Sequence, residues 1–226
     1  MPRRALAQKR PLLALSILAA LAFYYLRASE LPELWLIPLK GSAVALLALY
    51  AFLRHGSPDA RLLGWALGAA ALGDMGMEVD FQIGGLLFFL FHVLAMGVFL
   101  NHRRGPLKGA DSWIAGMLVV VTPLIAWLLP YDRAAAWQVA LYGLALGGMA
   151  ASAWASTFPR AQVGAGAILF VVSDLLIFAE MGPLSGSAVP EYLVWPIYYL
   201  GVLLIATGVL VSLHKRDPQL RVVSSR

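Results

Sequence analysis

Residues 84–101 read GGLLFFLFHVLAMGVFLN, an apolar run in which His92 is the single ionisable side chain. A helix that crosses a bilayer needs about 20 predominantly apolar residues, so this stretch predicts a membrane-spanning helix. Seven further stretches share this character and predict an all-α fold, a polytopic membrane helix bundle in one integral membrane domain over residues 1–226. The eight predicted transmembrane helices are 11–26, 33–53, 61–79, 84–101, 112–130, 134–157, 161–179 and 190–213.

The overall composition argues against a soluble protein. Hydrophobic residues make up 61% of the chain and charged residues only 13%, whereas about 25% of the residues in a soluble domain are charged. The loops between the predicted spans are too short to hold a further domain, and a nucleic-acid partner is not expected. The chain has no cysteine, which excludes a disulfide framework and thiolate chemistry.

Basic residues are distributed unevenly between the two sides of the predicted membrane. Most of the 17 Lys and Arg residues lie in the two tails and in the loops that follow even-numbered spans. Cytoplasmic segments carry such an excess, so both termini are predicted to be cytoplasmic. The net charge of +5 then reflects orientation and attraction to anionic lipid. We expect a bacterial cytoplasmic (inner) membrane location.

Two small-residue–Asp dipeptides lie one hundred residues apart, at 73–74 in the third span and at 173–174 in the seventh. Their matching helix context suggests a parallel repeat of four plus four spans, roughly 1–108 and 109–226. The repeat would place the two aspartates in corresponding positions of the two halves.

Glycine pairs at helical spacing occur in two spans, Gly64 with Gly68 and Gly143 with Gly147. Residues four apart lie on the same face of a helix. Small residues at such positions let two helix backbones approach closely in a membrane. The pairs therefore predict close helix contacts in the third and sixth spans.

Ionisable and hydroxyl side chains lie at a similar depth inside five spans. At about 1.5 Å of rise per residue, they lie about 9–12 Å below the outer ends of their helices. A charge inside the hydrocarbon costs several kcal/mol by most estimates, so such residues indicate a functional site. The members of this layer are Lys40, Asp74, His92, Asp174 and Tyr198.

The two aspartates of this layer, Asp74 and Asp174, are the expected catalytic residues. When two buried carboxyls lie close together, one keeps its proton while the other ionises. Glycoside hydrolysis uses the same division between an acid and a base. The layer lies where the glycerol and the first chain carbons of an outer-leaflet lipid would be, so the pattern predicts bond cleavage near a lipid headgroup.

Other functions remain open at this point. A proton-coupled membrane transporter would also use buried carboxylates and parallel repeats. A lipid-binding or assembly protein without chemistry is another alternative. Lys40 and an aspartate could also form a buried pair with only a structural role. Serine hydrolysis by Ser173 would need His92 as its base. A metal site would need His92 with both aspartates, a poor set for zinc, so no metal is expected.

Three motifs resemble the YhhN-like lysoplasmalogenase family of integral membrane proteins. Residues 72–99, LGDMGMEVDFQIGGLLFFLFHVLAMGVF, carry a Gly-Asp followed by an F-x-x-x-H helix. Residues 166–180, GAILFVVSDLLIFAE, resemble the second Asp signature, and PIYYLG at 196–201 resembles the paired tyrosines of the last helix. The sequence departs from the family pattern at Ala95, where a Tyr is usual, and at Val202, where a Gln is usual.

The resemblance implies hydrolysis of the vinyl-ether bond of lysoplasmalogens, the alkenyl glycerophosphoethanolamines and glycerophosphocholines. The products would be a fatty aldehyde and a glycerophospho-headgroup, formed without a metal or another cofactor. Asp74 and Asp174 would act as acid and base. The expected partners are a lysophospholipid substrate and the lipid bilayer. The remaining candidates would bind or orient the substrate: Lys40, Glu78, His92, Ser173, Tyr198 and Tyr199.

Overall fold

The computed structural model describes residues 10–216, which form eight α-helices joined by short loops. A π-helical turn, Arg160–Gly164, leads directly into the seventh helix. Each predicted apolar stretch corresponds to one helix, and the described residues contain no strand, so the all-α prediction is confirmed. The helices are α1 Arg10–Leu26, α2 Glu33–Arg54, α3 Pro58–Val79, α4 Phe81–Asn101, α5 Ala110–Leu128, α6 Arg133–Ala155, α7 Ala165–Glu180 and α8 Ala188–Arg216.

Six of the described helical segments are long and apolar enough to cross a membrane, by length and composition: α2, α4, α5, α6, α8, and α7 with its preceding π turn. The apolar part of α1 is shorter, at Pro11–Leu26. Helix α3 has 22 residues, but Asp74 and Glu78 lie within it and lower its hydropathy. The apolar helices indicate a multi-pass integral membrane protein.

The bundle has two distinct ends. We call the end at which α1, α3, α5 and α7 finish the outer end, and the opposite one the inner end. At the outer end, the Arg27 guanidinium donates to the Glu191 carbonyl. At the inner end, Asp59 contacts His102, with 2.9 Å between Oδ2 and Nε2. Most of the two predicted cytoplasmic tails, 1–10 and 214–226, lies outside the described residues.

Basic side chains concentrate at the inner end, as the pattern of spans predicts. Arg27 and Arg133 are the basic residues at the outer end of the described chain. The inner end carries Arg54, Arg61, Arg103, Arg104, Lys108, Arg160, Lys215 and Arg216.

Acidic side chains in the outer loops serve as helix caps. Asp80 alone separates α3 from α4, and its carboxylate accepts hydrogen bonds from the backbone N–H of Gln82 and Ile83, both at 2.9 Å. Asp132 caps α6 in the same way through the N–H of Ala134, at 2.8 Å. These bonds satisfy N–H groups that a helix leaves unpaired at its start. The local sequence thus sets where these two helices begin.

Glycines allow several helices to pack with their backbones close. A Cβ atom on Gly147 would lie 2.3 Å from the backbone oxygen of Leu118, and glycine is required there for α5 and α6 to meet. A Cβ atom on Gly143 would lie 2.7 Å from the Cβ atom of Ala126 and 3.0 Å from the Cα atom of Pro123, both on α5. A Cβ atom on Gly64 would lie 2.7 Å from the ring of Phe52 on α2, which is a side-chain contact. The predicted close backbone contacts are confirmed at Gly143 and Gly147, whereas Gly64 contacts α2 through a side chain. The prediction is wrong at Gly68, where nothing lies within 4 Å of a Cβ atom.

Two close helix contacts position the candidate site. Gly166 on α7 and Gly201 on α8 approach so closely that a Cβ atom on either would lie 2.7 Å from the backbone oxygen of the other. In the other half, a Cβ atom on Gly76 would lie 3.1 Å from the Cα atom of Gly84, which brings α3 against α4. Each helix that carries a predicted aspartate is therefore packed tightly against the next helix along the chain.

Candidate functional site

Four buried polar side chains from four helices lie in the outer half of the bundle. They are Asp74 on α3, His92 on α4, Asp174 on α7 and Tyr198 on α8. Asp74 and Asp174 are only 2% and 5% exposed. The structure thus brings together the residues that the helical rise places at one depth.

Asp74 is held by Tyr198, whose hydroxyl donates a hydrogen bond to Oδ2 at 2.9 Å. The Lys40 ammonium interacts electrostatically with the same carboxyl. Its direct partner, however, is Glu78, with 2.5 Å between Nζ and Oε1. The sequence suggests an ion pair between Lys40 and an aspartate, but in the structure Lys40 pairs directly with Glu78. The Lys40 ammonium also lies 5.9 Å from the ring centre of Trp195.

Asp174 is held by Tyr142 on α6, a residue that the sequence reasoning missed. The Tyr142 hydroxyl donates to Oδ2 of Asp174 at 2.7 Å. The Nε2 atom of His92 lies 3.0 Å from the same hydroxyl and 3.5 Å from Oδ2 of Asp174. Tyr142 stands eight residues after the start of its predicted span at Ala134, as His92 and Tyr198 do in theirs, and this depth could have revealed it.

The other ring nitrogen of His92, Nδ1, is buried and has no hydrogen-bond partner among the described residues. The His92 ring lies against aromatic neighbours, with its centre 4.9 Å from that of Phe170 and 5.3 Å from that of Phe91. The hydrogen-bonding contact of His92 is therefore directed through Nε2, toward Tyr142 and Asp174.

Two predicted site residues point elsewhere. The Tyr199 hydroxyl lies 2.7 Å from Oγ of Ser16, which in turn donates to the Ala43 carbonyl at 2.6 Å, so this tyrosine joins α8 to α1 and α2. Ser173 donates to the Phe170 carbonyl of its own helix at 2.8 Å and approaches Asp174 only at 3.4 Å. Neither side chain lines the cavities described next.

A cavity of about 560 Å³, here called the polar cavity, opens at the outer end. Asp74, Asp174 and Tyr198 line its inner part. It is bounded by residues of α1, α3, α7 and α8, by Lys40 of α2 and by Phe81 and Phe88 of α4. Charged side chains line it in addition to the two aspartates: Arg27, Lys40, Glu78, Glu180 and Glu191. Both aspartates can therefore reach one polar ligand.

A second cavity of about 410 Å³, here called the apolar cavity, lies mainly between α4, α6 and α7. Among the residues that the structure describes, Asp174 is the one charged residue that lines it. Asp174 lines both cavities, whereas Asp74 lines only the polar one. The wall that the two cavities share is formed by Met77, Phe81, Phe88, Asp174 and Ile177.

The surroundings of the two aspartates correspond when the chain is divided into helices α1–α4 and α5–α8. Asp74 interacts with Lys40 of α2 and Tyr198 of α8. Asp174 interacts with Tyr142 of α6 and His92 of α4. In each case, one partner comes from the second helix of the same group of four. The other partner comes from the fourth helix of the other group. The partners differ in chemistry, an ammonium and a phenol beside Asp74, a phenol and an imidazole beside Asp174.

The site combines two buried carboxyls, each held through Oδ2 by a phenol hydroxyl, beside a cavity that a polar ligand can enter. Such an arrangement can donate a proton from one carboxyl and accept one at the other. Among residues 10–216, no three His, Asp or Glu side chains converge as a metal-binding group.

The pattern of the YhhN family matches residues 35–209. Comparisons with curated proteins and with solved structures give no match. The matched range covers most of the chain, from α2 to α8, and includes both aspartates with their hydrogen-bonding partners Tyr142 and Tyr198. The chain belongs to the YhhN family.

Proposed function

We propose that the protein is a lysoplasmalogenase, an enzyme that hydrolyses the vinyl-ether bond of lysoplasmalogens within the membrane. One observation carries the proposal: Asp74 and Asp174 are buried and line the same polar cavity. Membership of the YhhN family supports the assignment. The buried position supports acid–base chemistry, because charged groups removed from water act more strongly on a developing charge.

The proposed reaction needs two carboxyls in opposite protonation states. One carboxylic acid donates its proton to the alkene carbon farther from the ether oxygen, which leaves an oxocarbenium ion at the other alkene carbon. The second carboxylate removes a proton from water as the water oxygen bonds to that carbon. The resulting hemiacetal breaks its bond to the glycerol oxygen. The hydroxyl group of the hemiacetal gives its proton to the first carboxylate, and the second carboxyl protonates the departing glycerol oxygen. Both carboxyls then have the protonation states in which they began.

The polar cavity suits a zwitterionic headgroup. Arg27 and Lys40 supply positive charge for a phosphate group. Glu78, Glu180 and Glu191 supply negative charge for an ammonium group. The cavity therefore favours glycerophosphoethanolamine and glycerophosphocholine lipids, with Tyr198 and His92 orienting the carboxyls.

We also propose that all eight helices cross the membrane, that both termini are cytoplasmic, and that the membrane is the bacterial inner one. The basic inner end supports this orientation, because cytoplasmic segments carry an excess of Lys and Arg. In this orientation the polar cavity opens toward the outer leaflet. The corresponding partners of Asp74 and Asp174 support the parallel repeat of 1–108 and 109–226.

Aldehyde release from lysoplasmenylethanolamine by the purified protein, with and without EDTA, tests the proposal. We expect Asp74→Asn and Asp174→Asn each to lower the rate by about 10²–10⁴-fold, the usual contribution of general acid or base catalysis. Asp111→Asn is the matched control, because Asp111 forms a partly exposed ion pair with Arg160 at the inner end. Its rate should stay near that of the unmodified protein.

The saturated 1-O-alkyl analogue, which has no alkene to protonate, should release no aldehyde. If the folded, unmodified protein leaves the vinyl ether intact with every headgroup tried, the lysoplasmalogenase assignment is wrong. Proton-driven flux in proteoliposomes would then support a transporter that uses the same carboxyls.

A further inference from the structure

Apart from Asp174 and its partner Tyr142, the residues that line the apolar cavity have no role in the proposed acid–base chemistry. We propose that this cavity binds the hydrocarbon chain of a single-chain lipid, and that Gly85 on α4 leaves the room that a long chain needs. This inference rests on the proposed function, because it names where the substrate of that site lies. The bond to be cleaved would then lie at the shared wall, beside Asp174.

The lining of the apolar cavity matches a hydrocarbon chain and not a headgroup. Polar side chains are confined to Gln82, Gln138, Tyr142 and Asp174, and the rest of the lining is apolar or glycine. The volume of about 410 Å³ lies within the range of roughly 300–1,000 Å³ typical of small-molecule sites. Among the described residues that line the cavity, Asp174 is the one charged group, so the cavity offers no cationic side chain to a phosphate.

The cavity also has an edge on the lipid-facing surface. Leu86 on α4 and Leu141 on α6 both line it and are 70% and 62% exposed. Exposed leucines on helices of this kind face hydrocarbon in a membrane. A lipid chain could therefore enter between α4 and α6 without crossing water, while its headgroup occupies the polar cavity.

Two adjacent glycines on α4 have different surroundings. Gly84 is tightly packed, and a Cβ atom there would lie 2.6 Å from the backbone nitrogen of Met77. At Gly85 nothing lies within 4 Å of a Cβ atom, and this residue lines the apolar cavity. The space beside Gly85 is therefore cavity space. A larger side chain at this position would take volume from the cavity without a clash at its Cβ atom.

Binding of non-cleavable 1-O-alkyl lysophosphoethanolamines to the purified protein in detergent tests the inference. Dodecyl and octadecyl chains are compared in the unmodified protein and in Gly85→Leu. We expect Gly85→Leu to weaken octadecyl binding at least about tenfold, while dodecyl binding changes less than about twofold. The loss of the pocket contacts of one or two methylene groups weakens affinity by about tenfold or more.

Gly116→Leu is the matched control, because Gly116 lies within α5, also has nothing within 4 Å of a Cβ atom, and lines neither cavity. It should bind both chains as the unmodified protein does. Thermal unfolding checks that all three proteins are folded. If folded Gly85→Leu binds both chains normally, the chain site is wrong. If it loses both chains equally, the role of Gly85 in making room for a long chain is wrong. A chain-length shift without aldehyde release by the unmodified protein would support the chain site and reject the proposed reaction.

Discussion

The Tyr198 hydroxyl on the last helix donates a hydrogen bond to Asp74 on the third helix at 2.9 Å, although 124 residues separate the two. This bond forms only when α8 packs against the first half of the chain. The carboxyl of Asp74 is therefore positioned by the C-terminal helix, and the site is complete only in the fully assembled bundle.

Replacing Tyr198 with Phe should lower the rate of aldehyde release by about 10–100-fold. Removing one partner of a buried hydrogen bond costs about 1–3 kcal/mol, and the loss leaves Asp74 less well oriented. The neighbouring Tyr199→Phe is the matched control, since it removes a hydroxyl that bonds Ser16 outside both cavities. A rate for Tyr199→Phe as low as that for Tyr198→Phe would contradict the different roles assigned to these tyrosines.

Tyr142 and His92 should act on Asp174 as one unit. Tyr142 lies between the other two side chains, with hydrogen-bond distances of 2.7 Å to Asp174 and 3.0 Å to His92. We expect Tyr142→Phe and His92→Leu each to lower the rate, and the double variant to be scarcely slower than Tyr142→Phe alone. If the rate reduction of the double variant equals the product of the two single reductions, His92 acts independently of Tyr142.

Lys40→Met should raise KM for lysoplasmenylethanolamine about tenfold or more, because charged hydrogen bonds to phosphate contribute on the order of 1.5–3 kcal/mol. Lys40 lines the polar cavity and pairs with Glu78, which is 41% exposed at the side chain. The informative comparison is with 1-O-alkenylglycerol, which has no phosphate. An equal rise in KM for that substrate would mean that Lys40 does not bind the headgroup phosphate.

Two glycine substitutions should change stability in opposite directions. Gly147→Ala places a Cβ atom 2.3 Å from the Leu118 oxygen, so overpacking should cost about 1–3 kcal/mol. Gly68→Ala meets nothing within 4 Å and should stabilise α3 by roughly 0.5–1 kcal/mol. Thermal unfolding in detergent measures both changes. Equal melting temperatures for the two variants would show that close packing at Gly147 has no energetic weight.

The helices and the depth of the buried layer could be predicted from the sequence because both depend on local properties. An apolar run of sufficient length predicts a helix, and the fixed rise per residue places Asp74, His92, Asp174 and Tyr198 at one level. The different direction of Tyr199 was also predictable in principle. Adjacent residues on a helix do not face the same side, so Tyr198 and Tyr199 could not both line one site.

The pairing of these side chains was not predictable, because it depends on which helices pack together. Nothing in the sequence around Lys40 distinguishes Glu78 from an aspartate as its partner. The depth of Tyr142 in its span was available from the sequence, but an isolated tyrosine has no motif, and its partners appear only when α6 packs beside α4 and α7. The cavities likewise arise from the packing of several helices.

Asp174 stands at the wall between a polar and an apolar cavity, and this position bears on how the two products would separate. A fatty aldehyde formed there could diffuse sideways between α4 and α6 into the bilayer, while the glycerophospho-headgroup leaves to the aqueous side. Neither product would have to wait for the other. The reactive aldehyde would pass directly into lipid, where a membrane-bound oxidising or reducing enzyme could take it up before it meets the amines of soluble proteins.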